Sequence, residues 1–243
     1  MNLVIDVGNT FVKLAVFQDD EMFYQTSVEE QGFKNEFEII LETYPNIDTC
    51  IISSVGNLNG TALKLIKHSL KVIVLSSEIK LPFINNYTTP KTLGVDRLAL
   101  ISAASKLYPI KNVLVIDAGT CITYDFITKE NIYLGGSISP GIRMRYQSLN
   151  NLTANLPLIE TQMPENIIGN STESAIHSGV VFGVLNEIEG VIGSYKEKNS
   201  DLTVILTGGD ANFLSKQLKS SIFANSNFLL QGLNHILQYN TAE

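Results

Sequence analysis

The sequence is short of the features that mark several common functional classes. It has only two cysteines in 243 residues, Cys50 and Cys121. Both sit inside apolar, strand-like runs and neither has a metal-ligand spacing, so buried reduced thiols and a reducing compartment are expected. Lys and Arg number 17 against 24 Asp and Glu, a formal net charge of −7, and no basic cluster stands out. That balance excludes a nucleic-acid footprint. It also gives anionic ligands no help from the overall field, so a phosphate site must be built locally from metal, backbone N–H groups and a few bases. No run approaches the roughly 18 apolar residues of a membrane helix. The first apolar run carries Asp6 and no basic flank, so it is not expected to be a signal peptide, and a cytoplasmic protein without membrane association follows. His68, His177 and His235 are isolated, which suits structural positions. There is no Gly-Lys dipeptide for a Walker A loop, no kinase Gly-rich loop and no Asp-Phe-Gly. Any ATP chemistry must therefore use another fold.

What is present is a duplication. Leu3-Val-Ile-Asp-Val-Gly-Asn-Thr10 and Leu114-Val-Ile-Asp-Ala-Gly-Thr-Cys-Ile-Thr-Tyr-Asp125 align without a gap over Leu-Val-Ile-Asp-x-Gly. Each copy predicts a short strand, a glycine turn carrying a carboxylate, and a return strand over Phe11 to Phe17 or Thr120 to Ile127. Thr203-Val-Ile-Leu-Thr-Gly-Gly-Asp210 echoes Cys50-Ile-Ile-Ser-Ser-Val-Gly56, extending the repeat to a fourth strand. The expected organisation is two lobes, 1–110 and 111–243, with a cleft between them. Between these signals, helical spacing is expected over Lys34 to Tyr44, Thr61 to Leu70, Arg97 to Leu107 and Leu229 to Gln238. One long helix is expected over Thr172 to Tyr195. Ser76 to Thr92 and Asn151 to Asn170 read as irregular.

The candidate chemistry lies at the repeat turns and at one loop. Asp6 with Gly8, Asn9, Thr10 and Lys13 has the parts of a phosphate and metal site, because bare backbone allows close approach, hydroxyl and amide groups bond phosphate oxygens, and Lys13 is a point charge. The plain alternative is a hairpin turn using Asp-Gly chemistry. Thr207-Gly-Gly-Asp-Ala211 before a helix permits close approach to a nucleotide, or is simply a strand-to-helix turn. Gly94-Val-Asp-Arg97 offers an acid/base pair, Arg97 for an anionic group and Asp96 for a hydroxyl proton. The alternative there is an N-capping Asp96 with Arg97 facing solvent.

These motifs together resemble a known family. A duplicated hairpin with Asp-x-Gly turns is similar to the acetate and sugar kinase/actin superfamily of two ribonuclease H-like domains. Within it, Asp6-Val-Gly-Asn-Thr10, Gly94-Val-Asp-Arg97, Asp117-Ala-Gly-Thr with Thr123 and Asp125, Gly135-Gly-x-Ile-x-Pro-Gly141 and Thr207-Gly-Gly-Asp-Ala211 resemble type III pantothenate kinase in that family's order. Cys121 stands where the family commonly has Ala. The resemblance implies an α/β fold of two tandem ribonuclease H-like domains, with mixed sheets flanked by helices. It also implies ATP-dependent phosphorylation of pantothenate, the first step towards coenzyme A. By the same resemblance Asp6, Val7, Gly8, Asn9, Thr10, Phe11, Val12 and Lys13 form the first phosphate-binding segment, with Asp6 organising Mg²⁺. Thr120 contacts ATP, Asp117 holds a monovalent cation (K⁺ or NH₄⁺), and Asp96 accepts the proton. Tyr87, Gly94, Val95, Asp96 and Arg97 bind pantothenate, and Thr172 adds a contact from the second subunit of a homodimer. Two rival readings keep the fold: a phosphohydrolase or other small-metabolite kinase, and a non-enzymatic ATP-binding accessory factor in transcription.

Overall fold

The structure, a computed structural model, describes residues 1–8, 11–54 and 60–241. It contains two compact units, one formed by Met1–Pro109, Asn131–Tyr133 and the chain from Asn227 onward, the other by Ile110–Glu130 and Leu134–Ser226.

The first unit holds a five-stranded sheet in the order β3-β2-β1-β4-β5, built from β1 (Asn2–Val7), β2 (Val12–Gln18), β3 (Glu21–Val28), β4 (Thr49–Ser54) and β5 (Lys71–Val74). Residues alternate faces along a strand, so Leu3, Ile5, Leu14 and Val16 share one face. They meet Phe33, Phe37 and Ile40 of α1 (Phe33–Thr43) and Ile66 of α2 (Gly60–Ser69). Val4, Ala15, Phe17 and Ile51 share the other face. There they are covered by Ala99 of α3 (Val95–Leu107) and by Leu230, Leu233, Ile236 and Leu237 of α8 (Phe228–Thr241).

A division at residue 110 would set α8 with the second half, whereas it packs in the first unit. The local reason is Gly232, where any Cβ would overlap the Ala99 carbonyl oxygen, so the two helices touch backbone to backbone. Gly232→Ala is accordingly expected to cost about 2–3 kcal/mol, overpacking outweighing the better helix propensity of Ala. A urea midpoint equal to the parent's would show that the helices do not approach this closely. His235 of the same helix bonds the Ser102 carbonyl through Nδ1 at 3.1 Å, and burial holds its pKa below the ordinary histidine value, as suits a structural residue.

The second unit repeats the plan. Its strands are β7 (Val113–Ala118), β8 (Cys121–Ile127), β9 (Ile132–Pro140, which enters this unit at Leu134), β10 (Thr203–Thr207) and β11 (Phe223–Ala224), in the order β11-β10-β7-β8-β9. Third, second, first, fourth, fifth is the order in both sheets. The duplication seen in the sequence is therefore a duplication of topology. A two-residue strand, β6 (Ile84–Asn85), is added beside β9 by pairing with Ile132 and Tyr133. It falls in a stretch expected to be irregular, since two residues carry no periodicity.

The helices of this unit are α4 (Ile142–Asn151), α5 (Thr172–His177), α6 (Gly183–Lys198) and α7 (Ala211–Ser215). Between α5 and α6 the helix continues through a π-helical turn, Ser178–Phe182. The one long helix expected from the spacing is present, with a π-helical turn in it that the spacing does not show. The widened turn shifts the helix phase, so that Ile176, Val180, Val181, Val184, Ile188 and Ile192 all enter the core with Leu114, Ile116 and Leu206. The run Thr172–Lys198 is long and apolar enough by length and composition to cross a membrane, against the expectation that no stretch is. These core contacts explain its hydrophobicity.

Candidate active site

Strand pairing fixes the first repeat turn. Asp6, at the end of β1, lies opposite Lys13 of β2 and beside Ser53 of β4. The Gly8 N–H donates to the Phe11 carbonyl at 3.0 Å, closing the turn. Asp6 is 7% exposed, and its pKa is raised from the ordinary 3.8 to about 6. Burial is the largest cause, opposed by the Lys13 charge, then reinforced by Asp96 and opposed again by the Ser53 hydroxyl. Val7 and Val12 turn their side chains into the core, so only their backbone is available to a ligand, whereas Phe11 is exposed. Asn9 and Thr10 lie outside the described residues.

The Asp96 effect on Asp6 brings two sequence motifs to one place. Gly94 precedes the first turn of α3, and the Arg97 N–H donates to Asp96 Oδ1 at 2.9 Å. The capping position belongs to Gly94, which leaves Asp96 within the helix. Arg97 does not face solvent: it is 4% exposed, and its guanidinium carbon lies 5.5 Å from the centroid of the Tyr87 ring. Val95 packs at the edge of the core formed by α3 and α8. Asp6, Lys13, Asp96, Arg97 and Tyr87 thus all belong to the first unit. Ser53 was missed in the sequence, since a Ser in a buried strand gives no signal until its neighbour in the sheet is known.

The second repeat turn is one residue shorter. Asp117 lies opposite Thr123 and beside Thr207, and the Gly119 N–H donates to the Cys121 carbonyl at 2.9 Å. Asp117 is half-buried and Thr120 exposed. Gly208 has φ +95°, and a side chain there would overlap the Ala118 carbonyl oxygen and Asp117 Oδ1. Glycine is required on both counts. The Asp210 N–H donates to the same Ala118 carbonyl at 2.9 Å, drawing the Gly-Gly turn onto Asp117. Gly141 presses equally on the carbonyls of Gly119 and Thr120, and its N–H donates to the latter at 3.0 Å. Gly208 and Gly141 thus shape this turn.

Behind it, Glu187 of α6 accepts from Tyr124 at 2.8 Å and from Ser139 and pairs with Arg145, which holds its pKa below the ordinary glutamate value despite burial. Thr172 is exposed at the start of α5, where Ser171 and Ser174 form a reciprocal cap. Among the described residues no cluster of three or more His, Cys, Asp or Glu is placed to hold a metal. A cation here would rest on single carboxylates and other oxygens.

The family model of type III pantothenate kinase matches residues 2–194. The chain belongs to the type III pantothenate kinase family. A type III pantothenate kinase of Christiangramia forsetii is 51% identical over 243 residues, covering 100% of both chains. Among solved structures, one described as a candidate Baf-family transcriptional activator of Campylobacter jejuni superposes with TM-score 0.63 at 24% identity, over 98% of each chain. A candidate 2-dehydro-3-deoxygalactonokinase of Sinorhizobium meliloti gives TM-score 0.59 at 11% identity over 100% of each. Those two share the fold, two sheets flanked by helices. The type III pantothenate kinase family makes the chain a kinase, and ATP use comes with it.

Proposed function

We propose that the chain transfers the γ-phosphoryl group of ATP to the primary hydroxyl of pantothenate, giving 4′-phosphopantothenate, the first step of coenzyme A biosynthesis. The observation that carries this reading is the meeting of Asp96, beside Arg97 and Tyr87, with the phosphate-type turn at Asp6. Arg97 suits the carboxylate of the acceptor, being planar, always charged and partly desolvated. Tyr87, Gly94 and Val95 complete the acceptor's surroundings. Asp96 accepts the hydroxyl proton as the new O–P bond forms and the bond from the γ-phosphorus to its bridging oxygen breaks. Such a transfer depends mostly on positioning and charge neutralisation. For those, Lys13 and the turn backbone from Asp6 to Lys13 serve the phosphates, with Thr120 as a further ATP contact.

The residues present fit the two cations such chemistry uses. Asp6 is a desolvated carboxylate crowded by Asp96, an arrangement a divalent cation relieves, and Mg²⁺ characteristically takes one or two carboxylates plus phosphates. When bound, it neutralises charge on the transferring phosphates. At Asp117 the donors are the carboxylate and the neighbouring Ala118 carbonyl, all oxygen and suited to K⁺ or NH₄⁺. Turnover is expected to be about tenfold faster in K⁺ or NH₄⁺ buffer than in Na⁺ buffer, a difference of about 1.4 kcal/mol in the barrier. Equal rates in all three would remove Asp117 from this role.

A homodimer is part of the same reading, supported by exposed Ile167 and Ile168, a few residues before the exposed Thr172. Such apolar residues favour a partner surface, and Thr172 would reach the acceptor of the other copy. Sedimentation at micromolar concentration checks it. ADP release from Mg-ATP in K⁺ buffer, with and without pantothenate, tests the reaction. Release only with pantothenate is expected. Equal release without it would indicate a hydrolase, and none in either tube would favour a binding protein.

A further inference from the structure

Arg97 and Tyr87 do not stand alone. The Tyr87 ring lies nearly parallel to that of Tyr133, with centroids 6.0 Å apart and planes at 15°. Phe83 meets Tyr133 edge-on at 6.1 Å and 77°. Tyr133 is 0% exposed, so it reaches no ligand itself. The guanidinium, the two stacked rings and the edge-on Phe83 form one column whose centre is the Tyr133 ring. Backbone bonds tie the same segments together. The Ile84 N–H donates to the Asn131 carbonyl at 3.0 Å, and the Asn86 N–H donates to the Tyr133 carbonyl at 3.0 Å. The Asn131 side chain donates to the Pro82 carbonyl at 2.8 Å. An otherwise irregular loop is thereby pinned over the residues that lead into Tyr87.

We propose that Tyr133 is a positioning residue for the phosphoryl acceptor, setting the Tyr87 ring and through it the place of the Arg97 guanidinium. The proposal rests on reading Arg97 and Tyr87 as the acceptor's anchor. A flat buried ring restricts the neighbouring ring to a stacked pose, and the stacked ring offers its outer face to the cation. An aliphatic side chain of similar bulk fills the space without fixing that plane. The consequence falls on the acceptor, since the column contains no part of the Asp6 turn.

The test is steady-state kinetics on the full chain with each substrate varied in turn. Tyr133→Leu is expected to raise KM for pantothenate about tenfold, with KM for ATP and kcat changing by less than about twofold. Tyr133→Phe, which keeps the ring, is expected to hold KM for pantothenate within about threefold of the parent, well short of the effect of Tyr133→Leu. Arg97→Gln should itself raise KM for pantothenate, and adding Tyr133→Leu to it should change that value by less than about twofold, because both act on one contact. An unchanged KM in Tyr133→Leu, a parallel loss for both substrates, or additive effects in the double variant would each overturn the proposal. If Arg97→Gln leaves KM for pantothenate untouched, the acceptor reading has failed, and the role of Tyr133 fails with it. Should Tyr133→Leu not fold, Tyr133→Met keeps more of the buried volume and is read by the same criteria.

Discussion

Asp96→Asn is expected to purify as a folded protein whose kcat is lower by about 10²–10⁴-fold, the span usual for loss of a general base. Both KM values should stay within about threefold of the parent, because the substitution leaves shape and the Arg97 anchor in place. Asn keeps an oxygen to accept the Arg97 N–H, a bond of 2.9 Å, so the start of α3 is not disturbed. What is lost is a proton acceptor and one negative charge. The charge has its own readout: Asp96 helps raise the Asp6 pKa, so the variant should carry a less perturbed Asp6 and be slightly more stable at pH 8. Near-parent turnover in Asp96→Asn would remove this residue from the chemistry.

Asp6→Asn is expected to be inactive and, without ligand, more stable than the parent at neutral pH. The sign follows from the raised pKa. With a folded pKa of about 6 against an ordinary 3.8, the native state binds the proton more tightly than the unfolded chain. The stability this contributes is complete below about 3.8 and is lost as pH rises through about 6. Across that interval the loss is on the order of 3 kcal/mol, and Asn, which never ionises, escapes it. Melting curves from pH 4 to 8 in chelator-containing buffer should therefore separate as pH rises, the variant staying above the parent, then run parallel above about pH 7. Curves that coincide throughout would mean that Asp6 is neither desolvated nor crowded. Mg-ATP should narrow the gap by stabilising the parent alone.

Much of the architecture was legible because each local signal repeats. Leu-Val-Ile-Asp-x-Gly occurs twice, so the hairpins and the following parallel strand could be placed in both units, and both sheets adopt the same order. The π-helical turn was not legible, since the apolar spacing of Thr172 to Tyr195 looks alike whether a turn holds four residues or five. Nor was the seat of α8, which depends on one glycine lying over one carbonyl 133 residues away in the sequence, 232 over 99. At the site, residue types and motifs marked Asp6, Asp96, Arg97 and Asp117. Their environments were another matter. The raised pKa of Asp6 comes from burial and from Asp96, 90 positions along the chain, and no local pattern reports it. Tyr133 gave no signal because an aromatic at the start of a strand is ordinary, and only its stacking partners distinguish it.

The position of α8 also bears on how the polypeptide is made. Leu230, Leu233, Ile236 and Leu237 cover Val4, Ala15 and Ile51, so one face of the first sheet has only α3 to cover it until the ribosome has passed all of the second unit. Those strands must wait, exposed to water and to chaperones, while 117 residues from Ile110 to Ser226 emerge. Synthesis that stalls within the second unit should therefore release chains whose N-terminal sheet is incompletely covered on one face and prone to aggregate.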